Sequence, residues 1–293
     1  MAWFNLSALG ITLSALLTRQ RIAFEASVRL PTPAVIPPPN HAPEPPARGP
    51  ADDAGSLANA IAAHRWYHTI DLGNGVRTPG YFDHDPYLPL YRLPESLAGK
   101  RVLDVATFDG YWAFQFERRG AAEVVALDLP NAAGLDLSAP RRAAMSAEEL
   151  ARPFGGGFAL AAEALKSKVR RVEASVYDLS PERHGLFDLV HIGDVLLHLR
   201  DPVRALACVR SVTRETAIIS DCFWPDLDRW PERRGMVYEG GAGENVWWRL
   251  GAETIRAMIR DAGFGRVEEL ARFRYGGTKD GPNLHHVVFV ARP

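Results

Sequence analysis

The run K-R-V-L-D-V-A-T-F-D-G-Y-W-A-F at residues 100–114 constrains the fold more than any other stretch of the chain. Val102, Leu103 and Val105 form a short apolar run of the kind that fills a parallel strand covered on both faces, and Gly110 has the backbone freedom for a tight turn into a helix. Trp112, Phe114 and Phe116 then stand among polar Gln115, Glu117, Arg118 and Arg119, and Gly120 marks a helix C-terminus. Residues 123–127 read as a second strand, closed by Asp128. Strand, loop, helix, strand, acid is the order of the nucleotide-binding half of a doubly wound α/β sheet, whose ligands sit beyond the carboxyl ends of the strands. The acid can accept both hydroxyls of a ribose. Ala106 and Phe108 stand where G-x-G-x-x-G would need glycines to admit a pyrophosphate, so the loop suits a phosphate-free nucleoside better than a dinucleotide.

With Asp104 and Gly110 kept, this run resembles the first motif of class I S-adenosylmethionine (SAM) methyltransferases, usually D-x-G-x-G-x-G; Ala106 and Phe108 depart from it. The form D-V-A-T-F-D-G-Y-W-A-F, joined to W-Y-H-T-I-D-L-G-N-G-V-R-T-P-G-Y-F-D at residues 66–83, is similar to the tRNA wobble-uridine (mo5U34/cmo5U34) methyltransferase-like family over roughly residues 59–293. The resemblance implies a Rossmann-like seven-stranded doubly wound sheet with SAM as cofactor. It assigns cofactor contacts to Asp104, Ala106, Thr107, Phe108 and Gly110 of the loop, to Asp128 and Leu129, to Val176 and Tyr177 after the third strand, and to Gly193 and Asp194 after the fourth. The turn after the third strand holds adenine in such enzymes, usually with a nearby acid; Ser175 replaces that acid here. The end of the fourth strand faces the transferred methyl group, which places Asp194 and His198 near the chemistry. The tRNA enzymes that use carboxylated SAM carry a tyrosine where Leu197 stands, so ordinary SAM is expected. The segment before the first core strand folds over the site as a lid in that family, making Tyr67, His68 and Thr69 functional candidates. Read without the family, Trp66, Tyr67 and Tyr81 serve as readily for packing, and a lone histidine is more often structural.

The remaining chain is organised around that core. Residues 2–17 are uncharged and largely apolar, with Trp3, Leu6, Leu9, Leu13 and Leu17 at helical spacing before Arg19 and Arg21. Residues 1–30 are therefore expected as a helical extension that packs on its own domain or on a twin subunit in a homo-dimer; the alternatives are a membrane-surface anchor and a signal or spanning element. Prolines crowd residues 31–56, expected as a linker. Residues 57–98 form the pre-domain lid and 99–293 the SAM-binding domain. Residues 129–167 read as an insertion with helices over 141–151 and 158–165, between which Gly155, Gly156 and Gly157 form either a mobile joint near the ligand or a plain surface connection. Strands are expected over 169–175, 187–193 and 216–220, with a helix opened by Asp201 and Pro202. The long connection 221–245, with Trp247, Trp248 and Arg249, reads as a substrate wall or as aromatic packing. A helix over 252–262 and strands over 267–273 and 284–291 close the domain. His285 and His286 lie on opposite faces of the last strand, with no acid or cysteine at ligand spacing, so no metal site is expected.

Composition narrows the partners. The chain has 293 residues and a formal net charge of −1, which gives no general attraction to nucleic acid or anionic lipid. Arginine pairs at 118/119, 141/142, 170/171 and 233/234 fit solvated surfaces better than a phosphate-binding face. Cys208 and Cys222 lack C-x-x-C spacing and read as small buried hydrophobes in a reducing cytoplasm.

Methyl transfer from a sulfonium is an in-line displacement with a good leaving group, so the protein mainly aligns the acceptor and excludes water. A hydroxyl acceptor profits from a base, for which His198 or His68 is the natural candidate, with Tyr67 beside it. The expected function is methyl transfer from SAM to a small-molecule acceptor in specialised metabolism. A tRNA wobble-base methyltransferase and a catalytically silent SAM-binding protein are the alternatives.

Overall fold

A computed structural model describes residues 2–8, 11–17, 22–28, 53–229, 231–242, 245–276 and 283–293. The chain divides into two units, residues 1–36 and 37–293.

The first unit is a three-stranded antiparallel sheet of β1 (Ala2–Ala8), β2 (Ile11–Leu17) and β3 (Ile22–Val28), with Ala2 opposite Leu17 and Ile11 opposite Val28. This corrects the helical extension expected over residues 1–30. Ile11, Leu13, Ala15 and Leu17 alternate with Thr12, Ser14 and Leu16, and Ile22, Phe24, Ala26 and Val28 alternate with Ala23, Glu25 and Ser27. That period of two suits strands, and Gly10 in the apolar run weakens a helix. The helix on which a dimer or membrane-surface contact was expected to rest is thus replaced by strands. Most of the proline-rich linker, residues 31–52, lies outside the described residues.

The second unit opens with α1 (Asp53–Ala63), followed by a small hairpin of β4 (Asp71–Gly73) and β5 (Val76–Arg77). The main sheet begins at β6 (Arg101–Val105), α2 (Tyr111–Arg118) and β7 (Glu123–Asp128). The insertion holds three helices where two were expected: α3 (Ala139–Ala144), α4 (Ala147–Ala151) and α5 (Gly156–Leu165). Ser146 and Glu149 form a reciprocal capping box that starts α4 afresh. Then come β8 (Arg170–Glu173), α6 (Pro181–His184), β9 (Phe187–Gly193), α7 (Pro202–Val212) and β10 (Thr213–Cys222). The long connection contains a strand not expected from the sequence, β11 (Met236–Ala242), paired with β12 (Val246–Leu250). The chain continues through α8 (Ala252–Asp261), β13 (Arg266–Gly276) and β14 (Asn283–Arg292).

The seven strands run in the order β13-β14-β10-β9-β6-β7-β8, parallel except for β14, which is antiparallel to both neighbours. Successive side chains on a strand point to opposite faces, so each buried strand feeds two cores. Leu103, Val105, Val125, Leu127, Val190 and Ile192 pack under α7 and α8 with Leu206, Val209, Ile255 and Ile259. Val102, Val124, Ala126, Leu189 and Ile218 face the other way, onto Trp112, Phe114, Phe116 and Phe158 of α2 and α5 and Trp66 and Tyr91 of the pre-domain segment. Among the described residues no helix is long and apolar enough to cross a membrane.

Candidate functional site

Six of the seven strands end on one edge, and the loop after β6 is the most constrained part of that edge. Ala106, Phe108 and Gly110 have φ of +59°, +50° and +93°. The loop thus keeps the left-handed alternation that glycines usually supply, although two of the three positions carry side chains, at a cost of about 1–2 kcal/mol each. Hydrogen bonds hold it there. Thr107 Oγ1 donates to Asp104 Oδ2 at 2.7 Å, the Phe108 amide donates to Asp128 Oδ2 at 2.7 Å, and the Gly110 amide donates to the Thr107 carbonyl at 2.8 Å.

Asp104 is buried, and its other oxygen meets His191 Nδ1 at 2.8 Å. The structure therefore places Asp104 and Thr107 beneath the loop as positioning residues. Asp128 receives the Phe108 amide on one oxygen and the Leu129 amide on the other, at 2.7 Å each. A carboxylate offers about four lone-pair sites, so acceptor capacity for two ribose hydroxyls remains. Burial pushes the Asp128 pKa up, opposed by the two amides.

After β8, Val176 is buried in the core, and Ser175 Oγ accepts the Tyr177 amide at 3.3 Å. The Tyr177 hydroxyl donates to Asp136 Oδ2 at 2.7 Å and accepts from the Asp201 amide at 3.2 Å, with the Arg204 guanidinium 4.9 Å from its ring centre. Its side chain buttresses the start of α7.

The pre-domain segment is tied to the loop. Asp109 Oδ2 accepts the amides of Tyr67 and His68 at 2.7 and 3.1 Å, and Tyr67 lies 5.1 Å from the Phe108 ring. Gly157 is the close-approach point behind them: a Cβ there would fall 2.5 Å from Asp109 Oδ1 and from His64 Nε2. The glycine run thus lets α5 start against the loop, which accounts for it without a mobile joint. Burial raises the Asp109 pKa to about 7 despite its two amide donors.

His68 and His84 of the pre-domain segment and Tyr275 and His286 of the last two strands follow one another at ring-centre distances of 5.4, 5.2 and 5.2 Å. His68 Nδ1, both nitrogens of His84, the Tyr275 hydroxyl and His286 Nδ1 are buried without a hydrogen-bond partner. Burial lowers the His68 pKa to about 3 and holds His84 well below its ordinary value, so both imidazoles are neutral at pH 7. Buried polar atoms without a partner in the protein are uncommon, and their clustering here singles out this group of rings.

Asp194, at φ +52°, is the electrostatic centre of the site. Burial opposes its charge, but His286 Nε2 at 2.6 Å outweighs that and keeps its pKa below the usual carboxylate range. After burial, its charge is the next cause raising the Tyr67 and Cys222 pKa values, and it also acts on His68, His84 and His198. The three catalytic candidates Tyr67, His68 and His198 thus all lie within its field. His198 Nδ1 meets the Asn245 carbonyl at 3.2 Å, so Nδ1 carries the proton and Nε2 the lone pair. Burial lowers its pKa. Asp221, buried beside it, accepts the Leu196 amide at 2.7 Å and so fixes the turn that carries His198.

Trp247 and Trp248 donate their indole N–H groups to the carbonyls of Asp136 and Leu199 at 2.6 and 3.0 Å, which makes them packing residues here. His84, Asp109 and Asp221 were not singled out from the sequence; Asp109 lies within the D-V-A-T-F-D-G-Y-W-A-F run without an assigned role, and only tertiary burial distinguishes the three. The same holds for the meeting of Asp194 and Cys222 with His286, three residues far apart in sequence.

No protein-family model and no curated protein matches the sequence. Among solved structures, the N-terminal domain of EvdMO1 in the presence of S-adenosylhomocysteine (SAH) and D-fucose is similar with a TM-score of 0.56 and 18% identity, over 84% of this chain and 99% of that one. The same domain with SAH bound gives 0.55 and 18%, with the same coverage. The structure of EvdMO1 itself gives 0.52 and 19%, over 82% of this chain and 48% of that one. The shared architecture is a Rossmann-like sheet, seven strands with helices on both faces.

Proposed function

We propose that this protein is a SAM-dependent methyltransferase acting on a small, hydroxylated acceptor, in keeping with a role in specialised metabolism. The observation that carries the reading is the loop after β6, held left-handed at three positions and hydrogen-bonded to an Asp128 that keeps free acceptor capacity. The SAH-bound fold neighbours support the choice of cofactor, and the neighbour determined in the presence of D-fucose supports a hydroxylated acceptor.

SAM, when bound, supplies a methyl group on a sulfonium leaving group. Asp128 would accept the ribose hydroxyls, and the backbone from Ala106 to Gly110 would hold the nucleoside. Gly193 and Asp194 border the reacting end. Tyr67, His68 and His84 orient the acceptor and exclude water, as neutral hydrogen-bonding groups. His198 Nε2 would take the proton of a hydroxyl acceptor as general base.

The test is calorimetric titration of the full chain with SAM and with carboxylated SAM, followed by transfer assays against hydroxylated small molecules and against RNA. Binding of SAM, a loss of roughly 10- to 100-fold in Asp128→Ala, and transfer to a hydroxylated small molecule are expected. Lack of SAM binding overturns the enzyme reading, binding without transfer favours a silent SAM-binding protein, and transfer to RNA restores the wobble-base alternative.

A further inference from the structure

We propose that Asp194, Cys222 and His286 form a binding site for one divalent cation of the zinc class, with a coordination position left open. Three neighbouring strands meet there. The register of β10 and β14 sets Cys222 directly opposite His286, and that of β9 and β10 sets Gly193 beside Ser220, so Asp194 follows one residue on at the same edge. Cys222 Sγ lies 3.5 Å from His286 Nε2 and 3.9 Å from Asp194 Oδ1, and the latter two atoms are 2.6 Å apart.

A tetrahedral zinc with ordinary Zn–S, Zn–N and Zn–O bonds spaces its ligand atoms about 3.3–3.6 Å from one another. Two of the three separations are therefore already near those of a filled site. The third needs the Asp194–His286 contact to open by less than about 1 Å. One thiolate, one imidazole and one carboxylate form a donor set that favours zinc-like ions over magnesium or calcium.

The proton balance is simple. Binding releases the Cys222 thiol proton to solvent, and the His286 proton moves from Nε2 to Nδ1, which has no partner. Cys222 and His286 are buried while the Asp194 side chain keeps 15% of its surface exposed, so the fourth ligand reaches the ion from the Asp194 side. The site does not depend on the methyltransferase reading.

The test uses the full chain, stripped with a chelator and titrated with Co(II), a spectroscopic stand-in for zinc. One equivalent should produce a thiolate-to-cobalt charge-transfer band in the near ultraviolet and intense tetrahedral bands in the visible, both removed by zinc. Cys222→Ser should abolish the charge-transfer band, His286→Ala should weaken uptake at least tenfold, and Cys208→Ser should leave both unchanged. Absence of the band in the unsubstituted protein overturns the site, as does a band that survives Cys222→Ser or vanishes in Cys208→Ser. The readout needs no SAM, so it fails or succeeds independently of methyl transfer.

Discussion

The amide of Phe108 donates to Asp128 Oδ2 at 2.7 Å, which joins the loop after β6 and the acid after β7 into one hydrogen-bonded unit. The loop holds its shape although Ala106 and Phe108 occupy left-handed positions. Ala106→Gly should therefore raise stability by about 0.5–1 kcal/mol, relief of the left-handed strain outweighing the added entropy of the unfolded chain. Phe108→Gly relieves the same strain but removes the ring that meets Tyr67, and should lower stability. Urea unfolding of the two variants, measured side by side, separates these effects.

Asp109 sets a pH response. Its pKa is about 7 in the folded protein against an ordinary 3.8, so between those values the folded state binds more protons than the unfolded one. Stability from this group is greatest at low pH and falls as pH rises from about 4 to about 7. Asp109→Asn keeps an oxygen for the Tyr67 and His68 amides and carries no titrating proton. The difference in melting temperature between variant and parent should thus shift in the variant's favour across that window. A protonated His64, with Nε2 4.0 Å from Asp109 Oδ1, acts in the opposite sense and moderates the slope.

His198 and His68 are separable by kinetics. His198→Ala removes the imidazole whose Nε2 is left free by the Asn245 contact, and should lower kcat about 10²- to 10⁴-fold with SAM affinity within a few-fold. Because burial lowers its pKa, the rate of the parent enzyme should stay flat to a pH below the ordinary histidine range. His68→Ala should act mainly on acceptor KM, since its buried Nδ1 has no partner within the protein. Steady-state kinetics of both variants across pH checks the assignment.

The Asp104–His191 contact, with both side chains 1% exposed, is a structural requirement of the loop. His191→Ala leaves Asp104 with only the Thr107 hydroxyl, and should destabilise by about 3–5 kcal/mol. Thr107→Val should cost about 1 kcal/mol. Denaturant midpoints of the two variants test the order.

The run from Lys100 to Asp128 was legible because parallel strands buried on both faces read as unbroken apolar segments, and because glycine and acid punctuate them. Residues 2–17 were misread because the same leucines satisfy a spacing of three or four and a spacing of two; Gly10 and the alternation of Thr12 and Ser14 favour the strands that form. β11 was hidden because M-V-Y-E-G-G-A neither alternates nor excludes glycine, and its partner β12 supplies the pairing. His198 could be placed by topology, yet its tautomer depends on Asn245, across the β11–β12 hairpin turn. Asp109 and His84 gain their character from tertiary burial, and Cys222 meets His286 only through the register of two strands.

That register has a consequence for biogenesis. β14 enters the sheet reversed, between β10 and β13, and delivers His286 from late in the chain to a floor whose first residues come from β6. A ribosome must therefore complete nearly the whole domain before Asp194 acquires its partner, and the slow, non-local closure of the sheet precedes a finished site. Nascent chains arrested before β14 should expose the edge of β10, a surface for chaperones, and should be unable to retain ligand at that edge.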